Sequence, residues 1–339
     1  MATTMSGLTR KRELGRGERV LPGIWRLRLP LPWPGIPHCN AWAIAAGDGI
    51  VLVDTGLHEP GSMAHLDRAL AMVNLRIENV KLLVCTHAHA DHYGQAATIL
   101  ERVECELWMH PNHAHMIEAA QNPQATLDRR LEIARQSGVP EAPQRAYEQA
   151  SKGQGSGIAA VVAPDRDLVA GVEIQTDLGP WKILETPGHA PSHVCLYQEE
   201  RRILISGDHL VGRISPYYDY GWTADPAGEF LESLSAVEDL DMRLCLAGHA
   251  RPFTDVQAHI NANRVLVAER LEACVTMLAT ADPVTVFEAI PLVYGPEITR
   301  ENAGWWLNET LCYLRHLELA GVAACLRDDP SQAARWTLA

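Results

Sequence analysis

The chain has 339 residues, 47% of them hydrophobic, with 42 acidic against 29 basic side chains and a formal charge of −13. That balance excludes a general attraction for nucleic acid or an anionic membrane, and the longest apolar runs fall well short of a membrane span. The length predicts one large domain and a smaller one.

Residues 1–19 contain basic groups with no apolar stretch behind them, so a loose tail is expected rather than a secretory signal. The eight cysteines (39, 85, 105, 195, 245, 274, 312 and 325) are dispersed and form no Cys-x-x-Cys pair. They predict buried thiols in a reducing, cytoplasmic setting.

Gly23 to Leu29 alternates apolar and polar as a strand with one covered face does. Pro30 to Pro37 predicts a rigid loop carrying Trp33 and His38, and Asn40 to Ala45 resumes strand character. After the Gly47-Asp48-Gly49 turn, Ile50 to Asp54 predicts a buried strand, and Ser62 to Leu75 a helix.

Lys81 to Cys85 predicts another buried strand, ending at Thr86-His87-Ala88-His89-Ala90-Asp91-His92-Tyr93-Gly94. Four groups able to ligate a metal fall within six positions. A strand sends neighbouring side chains to opposite faces, so these four converge only if the chain curls off the strand end into a helix, with Gly94 as a flexible joint.

His110, His113 and His115 lie at a strand-to-helix junction with no regularly spaced carboxylate, which argues against a second metal site there. His113 or Met116 could face a substrate. Residues 112–157 predict a helical insert closing on a Gly-rich linker, because 97 residues separate His92 from His189, long for a few strands and one helix.

A second set of strands is expected over Gly171–Gln175, Trp181–Glu185, His193–Tyr197 and Arg202–Ser206, with His189 and Asp208 just past strand ends. The aromatic run Tyr217-Tyr218-Asp219-Tyr220-Gly221-Trp222 predicts a pocket wall, plain packing being the other reading for Tyr218 and Trp222. Helix Gly228–Leu240 and strand Arg243–Ala247 lead to His249. From Val256 onward the pattern is long helices and a small hairpin.

His87-x-His89-x-Asp91-His92 resembles the signature of the metallo-β-lactamase superfamily. Its other marks follow in order: Val53-Asp54-Thr55-Gly56, Thr186-Pro187-Gly188-His189, Ser206-Gly207-Asp208 and Ala247-Gly248-His249. The resemblance covers about residues 20–255 and implies an α/β fold, the four-layer αββα sandwich, with the insert at 112–157. Residues 256–339 resemble the winged-helix-like tail of one branch, which includes fungal polyketide thioesterases and a mitochondrial endoribonuclease.

The family match implies two divalent metal ions. His87, His89 and His189 would hold one, Asp91, His92 and His249 the other, and Asp208 would bridge them. Zinc is the default, and iron or manganese accept the same donors. Asp91 would also carry the catalytic proton, with Asp54 and His193 behind the ligands and Trp33, His113, Tyr218 and Trp222 as candidate substrate contacts.

Val211 stands where acyl-homoserine lactonases have tyrosine, no basic glutathione-binding set is present, and there is no room for a flavin domain. What remains is a cytoplasmic hydrolase of an ester, thioester or lactone of a small molecule. A phosphodiester nuclease and a retired binding module are the alternatives. Residues 282–339 carry eight acidic against four basic groups, so this tail is expected to pack, to form a homodimer contact or to close the pocket rather than to bind nucleic acid.

Overall fold

The computed structural model describes residues 14–33, 35–212, 216–281, 283–299, 302–327, 329 and 331–339. The expected loose tail lies outside these as far as residue 13. Its last positions are corrected: Arg16–Leu21 is a strand, β1, in register with Ile24–Trp33, β2.

β2 continues into Ile36–Ala46, β3, as a long hairpin, so the rigid loop expected over Pro30–Pro37 is strand with a short turn. A register shift between Pro30 and Trp33 accommodates prolines, which cannot donate to the ladder. Gly49–Val53, β4, follows. Its Ile50 and Leu52 face one apolar layer and Val51 and Val53 another, which is why the strand is apolar throughout.

Helix α1 spans Ser62–Ala71, β5 Val80–Val84, α2 Ala90–Tyr93, α3 Ala96–Leu100 and β6 Glu106–Met109. The insert is three helices: α4 (Ala114–Gln121), α5 (Pro123–Gln136) and α6 (Glu141–Ser151). α5 starts on a side-chain cap from Asn122, followed by Pro123 at the first helical position. Arg166–Asp167, β7, completes a seven-stranded sheet in the order β1 to β7.

The second sheet comprises β8 (Glu173–Thr176), β9 (Gly179–Glu185), β10 (Val194–Gln198), β11 (Ile203–Gly207) and β12 (Leu244–Ala247), with α7 (Pro226–Glu238) before β12. β10 lies between β9 and β11, so His189 and Asp208 leave one sheet edge from strands that are one apart rather than adjacent. Trp42, Val51 and Val84 pack against Trp181, Leu196 and Ile205 between the sheets. Each such burial contributes about 1.5–3 kcal/mol.

The chain closes with α8 (Val256–Thr280), α9 (Val286–Tyr294), α10 (Ala303–Leu319) and the hairpin of β13 (Ala323–Leu326) and β14 (Arg335–Leu338). One apolar cluster runs from Leu204 and Cys245 through Leu234 to Ile260, Leu314 and Trp336. The outer face of the second sheet is therefore covered by α7 together with the C-terminal helices. Among the described residues no helix is long and apolar enough to cross a membrane.

Candidate metal centre

β5 runs out at Val84, and Thr86 hands its carbonyl to the Val194 amide of the second sheet. His89 is extended (φ −60°, ψ 148°), and the chain turns at once into α2, so Asp91 and His92 stand on a helical first turn. This break in period lets residues of alternating direction meet. Gly94 is no flexible joint: its φ is −54°, and an added Cβ would lie 2.2 Å from the Ala90 carbonyl oxygen and 2.4 Å from that of Gly157. The end of the expected linker is likewise pinned, since the Gly157 carbonyl accepts from the His58 amide at 2.8 Å.

The structure brings together seven of the expected residues. His89 Nδ1 lies 3.0 Å from His87 Nε2 and 2.9 Å from His189 Nε2. His249 Nε2 lies 3.2 Å from Asp91 Oδ2 and 3.1 Å from Asp208 Oδ2. His92 Nε2 stands 3.5 Å from both Asp91 Oδ2 and Asp208 Oδ1. Asp208 Oδ2 also approaches His189 Nε2 at 3.7 Å, so this carboxylate spans both groups.

Each of the five histidines has one nitrogen committed outward. His92 Nδ1 pairs with Asp54 Oδ2 at 2.9 Å and His87 Nδ1 with Thr86 Oγ1 at 3.0 Å. His189 Nδ1 donates to the Tyr217 carbonyl and His249 Nδ1 to the His38 carbonyl, both at 3.0 Å. His89 is reversed: its Nε2 pairs with Asp219 Oδ2 at 2.8 Å, leaving Nδ1 inward. Fixing one imidazole nitrogen so that the other is presented is what metal sites require of their surroundings.

The donor set fits a divalent cation. His87, His89 and His189 offer nitrogens within 4.8 Å of one another, as do the ligand atoms of Asp91, His92 and His249. His92 Nε2 and Asp208 Oδ1 are buried with no hydrogen-bond partner, a costly state that a cation between them removes.

Charge follows the same division. Burial, with His92 and His89 nearby, holds His87 well below the ordinary imidazole range, and burial and His89 lower His189 to about 4. Burial opposes a charge on His92 and His249 too, but the adjacent carboxylates outweigh it and keep both protonated, His249 at about 10. A bound metal takes the place of such protons.

His193 has both nitrogens occupied: Nδ1 meets Thr186 Oγ1 at 2.8 Å, and Nε2 accepts from the Asp208 amide at 3.0 Å. It holds the loop carrying Asp208 and has no lone pair left for a metal. Asp54, in a left-handed conformation (φ 67°), also receives the Thr86 amide at 2.8 Å, tying the end of β4 to the ligand loop.

The expected substrate contacts fare differently. Tyr218 is corrected: it is fully buried, packed on Phe230 and Tyr313, because its side chain turns into the apolar cluster under α10. Its neighbours Tyr217 and Asp219 face the centre instead, with the Tyr217 ring 5.7 Å from that of His189. Trp33 sits 40% exposed at the end of β2, and His113 turns back to the His110 carbonyl at 2.8 Å. Trp222 stands one layer out, against His115 and under Arg129.

Of the three histidines at the start of the insert, only His115 reaches the site, 3.6 Å from Asp219. Asp219 was legible only as a carboxylate inside an aromatic run. The guanidinium of Arg26, which with Asn40 ties down the carbonyl of Ala250 beside His249, carried no motif signal.

The sequence profile of the Metallo-beta-lactamase superfamily matches residues 34–249, well over half of the chain. A probable metallo-hydrolase of Bacillus subtilis, YqjP, is 26% identical over 287 residues, 81% of this chain and 86% of its own. An atrochrysone carboxyl ACP thioesterase of Aspergillus chevalieri is 23% identical over 316 residues, 90% of this chain and 83% of its own. A beta-lactamase domain protein from Burkholderia ambifaria superposes with a TM-score of 0.81 at 26% identity, covering 95% of this chain and 94% of its own. Family profile, relatives and fold agree: the chain belongs to the metallo-beta-lactamase superfamily, as a metallo-hydrolase.

Proposed function

We propose that the protein holds two divalent metal ions, zinc by preference, and cleaves an ester, thioester or lactone of a small molecule. The observation that carries this reading is the set of five histidines, each with one nitrogen held outward and the other facing a common centre shared with two carboxylates. His87, His89 and His189 would bind one ion and Asp91, His92 and His249 the other, with Asp208 between them. Bound there, divalent cations supply an acidified water and polarise the oxygen that becomes negative.

The chain's own groups do the rest. Asp219 holds His89 in the tautomer that frees Nδ1, and the Tyr217 carbonyl does the same for Nε2 of His189. Asp91, with Oδ2 against His92 and His249, keeps Oδ1 to take the proton released by the attacking water and pass it to the leaving group. Tyr217, with Trp305 at 5.0 Å, offers an aromatic wall beside the ligands suited to an apolar acyl part. The similarity to a thioesterase that extends across the C-terminal helices supports the acyl reading.

A panel of acyl thioesters, lactones, aryl esters and bis(p-nitrophenyl) phosphate on zinc-, iron- and manganese-loaded protein tests it. Turnover of an acyl substrate that vanishes with chelator is expected. Phosphodiester turnover alone would replace this reading with a nuclease.

A further inference from the structure

His115, on the first turn of α4, repeats one layer out the arrangement of the ligand histidines. Its side chain is 2% exposed, and Nδ1 faces the Asn112 carbonyl at 3.2 Å. A carbonyl only accepts, so Nδ1 carries the proton and Nε2 is left as the ring's free lone pair. That Nε2 is buried and has no hydrogen-bond partner. It points at Asp219 Oδ2 from 3.6 Å, too far for a hydrogen bond.

Two acceptors facing each other in a buried place are costly unless something positive sits between them. The same signature marks the centre itself, where His92 Nε2 and Asp208 Oδ1, both without a hydrogen-bond partner, stand 3.5 Å apart. Two donors bound to one ion at about 2.1 Å each, at a tetrahedral or slightly wider angle, are separated by about 3.4–3.6 Å. His115 and Asp219 already have that spacing. With His89 they form a group whose ligand atoms all lie within 4.8 Å of one another. The other two histidines of this stretch take no part: His113 turns back to the His110 carbonyl, and His110 Nε2 faces Glu185 at 3.8 Å.

We propose that His115 Nε2 and the Asp219 carboxylate bind a third divalent cation, separate from the pair above. Imidazole with carboxylate suits zinc, cobalt, nickel or copper rather than magnesium or calcium. Only two protein donors reach the ion and water completes its shell, so it is held more weakly than the pair and comes off on dialysis. His89 keeps its hydrogen bond to the same carboxylate, 2.8 Å from Oδ2. The ion fastens α4, the first helix of the insert, to the loop that follows Asp208. This inference rests on the two-ion reading only for the order in which the sites fill.

Cobalt added to zinc-loaded, dialysed protein tests it. Equilibrium dialysis counts cobalt and retained zinc, and tryptophan fluorescence locates the cobalt, because the Trp222 ring lies 5.9 Å from that of His115. One cobalt ion per chain is expected above the retained zinc, with partial quenching of the fluorescence. H115L should lose both the extra ion and the quenching while retaining its zinc, which shows that the variant is folded. W222F, with every donor in place, should keep the extra ion and lose most of the quenching. No cobalt beyond the zinc pair, or uptake and quenching unchanged in H115L, overturns the proposal. Cobalt held in a His115-dependent way by protein that retains no zinc on dialysis would instead defeat the two-ion reading and leave this one standing.

Discussion

Asp54 Oδ2 lies 2.9 Å from His92 Nδ1, both side chains wholly buried, while Asp54 Oδ1 accepts the Thr86 amide at 2.8 Å. One carboxylate thus aims an imidazole and fixes the loop that bears two others. Asp54→Asn keeps the shape and removes the charge. It is expected to weaken metal binding about 10–100-fold, as loss of a residue behind a metal ligand commonly does. Competition against a chelating dye measures it, and an unchanged affinity would mean that Asp54 serves only the turn.

Gly248 approaches the second ligand group so closely that a Cβ would lie 2.1 Å from Asp208 Oδ1 and 2.8 Å from His92 Cε1. Gly248→Ala should therefore displace Asp208 and reduce the ions held per chain, with circular dichroism unaltered. Full metal content in this variant would show that the Asp208 side chain is free to move aside.

Tyr218 tests the line drawn between core and pocket. Its hydroxyl is buried without a hydrogen-bond partner, and its ring packs on Phe230 and Tyr313. Tyr218→Phe should leave kcat/KM within about twofold, whereas Tyr218→Ala should cost roughly 3–5 kcal/mol of stability. A large fall in KM-dependent activity in the Phe variant would return Tyr218 to the substrate contacts.

Glu309 gives a pH dependence with a definite sign. Burial raises it from 4.5 to about 7, among Tyr313 of its own helix, Tyr294 of α9, and Arg270 and Cys274 of α8. Between those two values the folded chain keeps a proton that the unfolded chain has lost, so stability declines as pH rises through that window. The span corresponds to at most about 3 kcal/mol. Urea unfolding of the native protein and of Glu309→Gln at pH 5 and pH 8 is expected to give a smaller decline in the variant. Equal declines would place the titration elsewhere.

How much was legible in the residues follows from physical range. The ligand-bearing turns could be read because each is a short apolar strand followed by ligand-type residues, a local pattern. Gly94 was misread because its reason lies in the carbonyls of Ala90 and Gly157, the second of them more than 60 positions away. Tyr218 and Tyr217 could not be told apart, since neighbours on an irregular segment have no period to say which one faces inward. That Asp219 meets both His89 and His115 could be seen only once the insert and the loop after Asp208 were folded beside one another.

The central claim is that side chains from separate strand ends enclose two cations. Elemental analysis of metal-loaded, dialysed protein tests it most directly, alongside His92→Ala and a His87→Ala/His249→Ala double variant. The account expects two divalent ions per chain, a reduced number in His92→Ala, and close to none in the double variant. Undiminished metal in the double variant, or none in the unaltered protein, would contradict it.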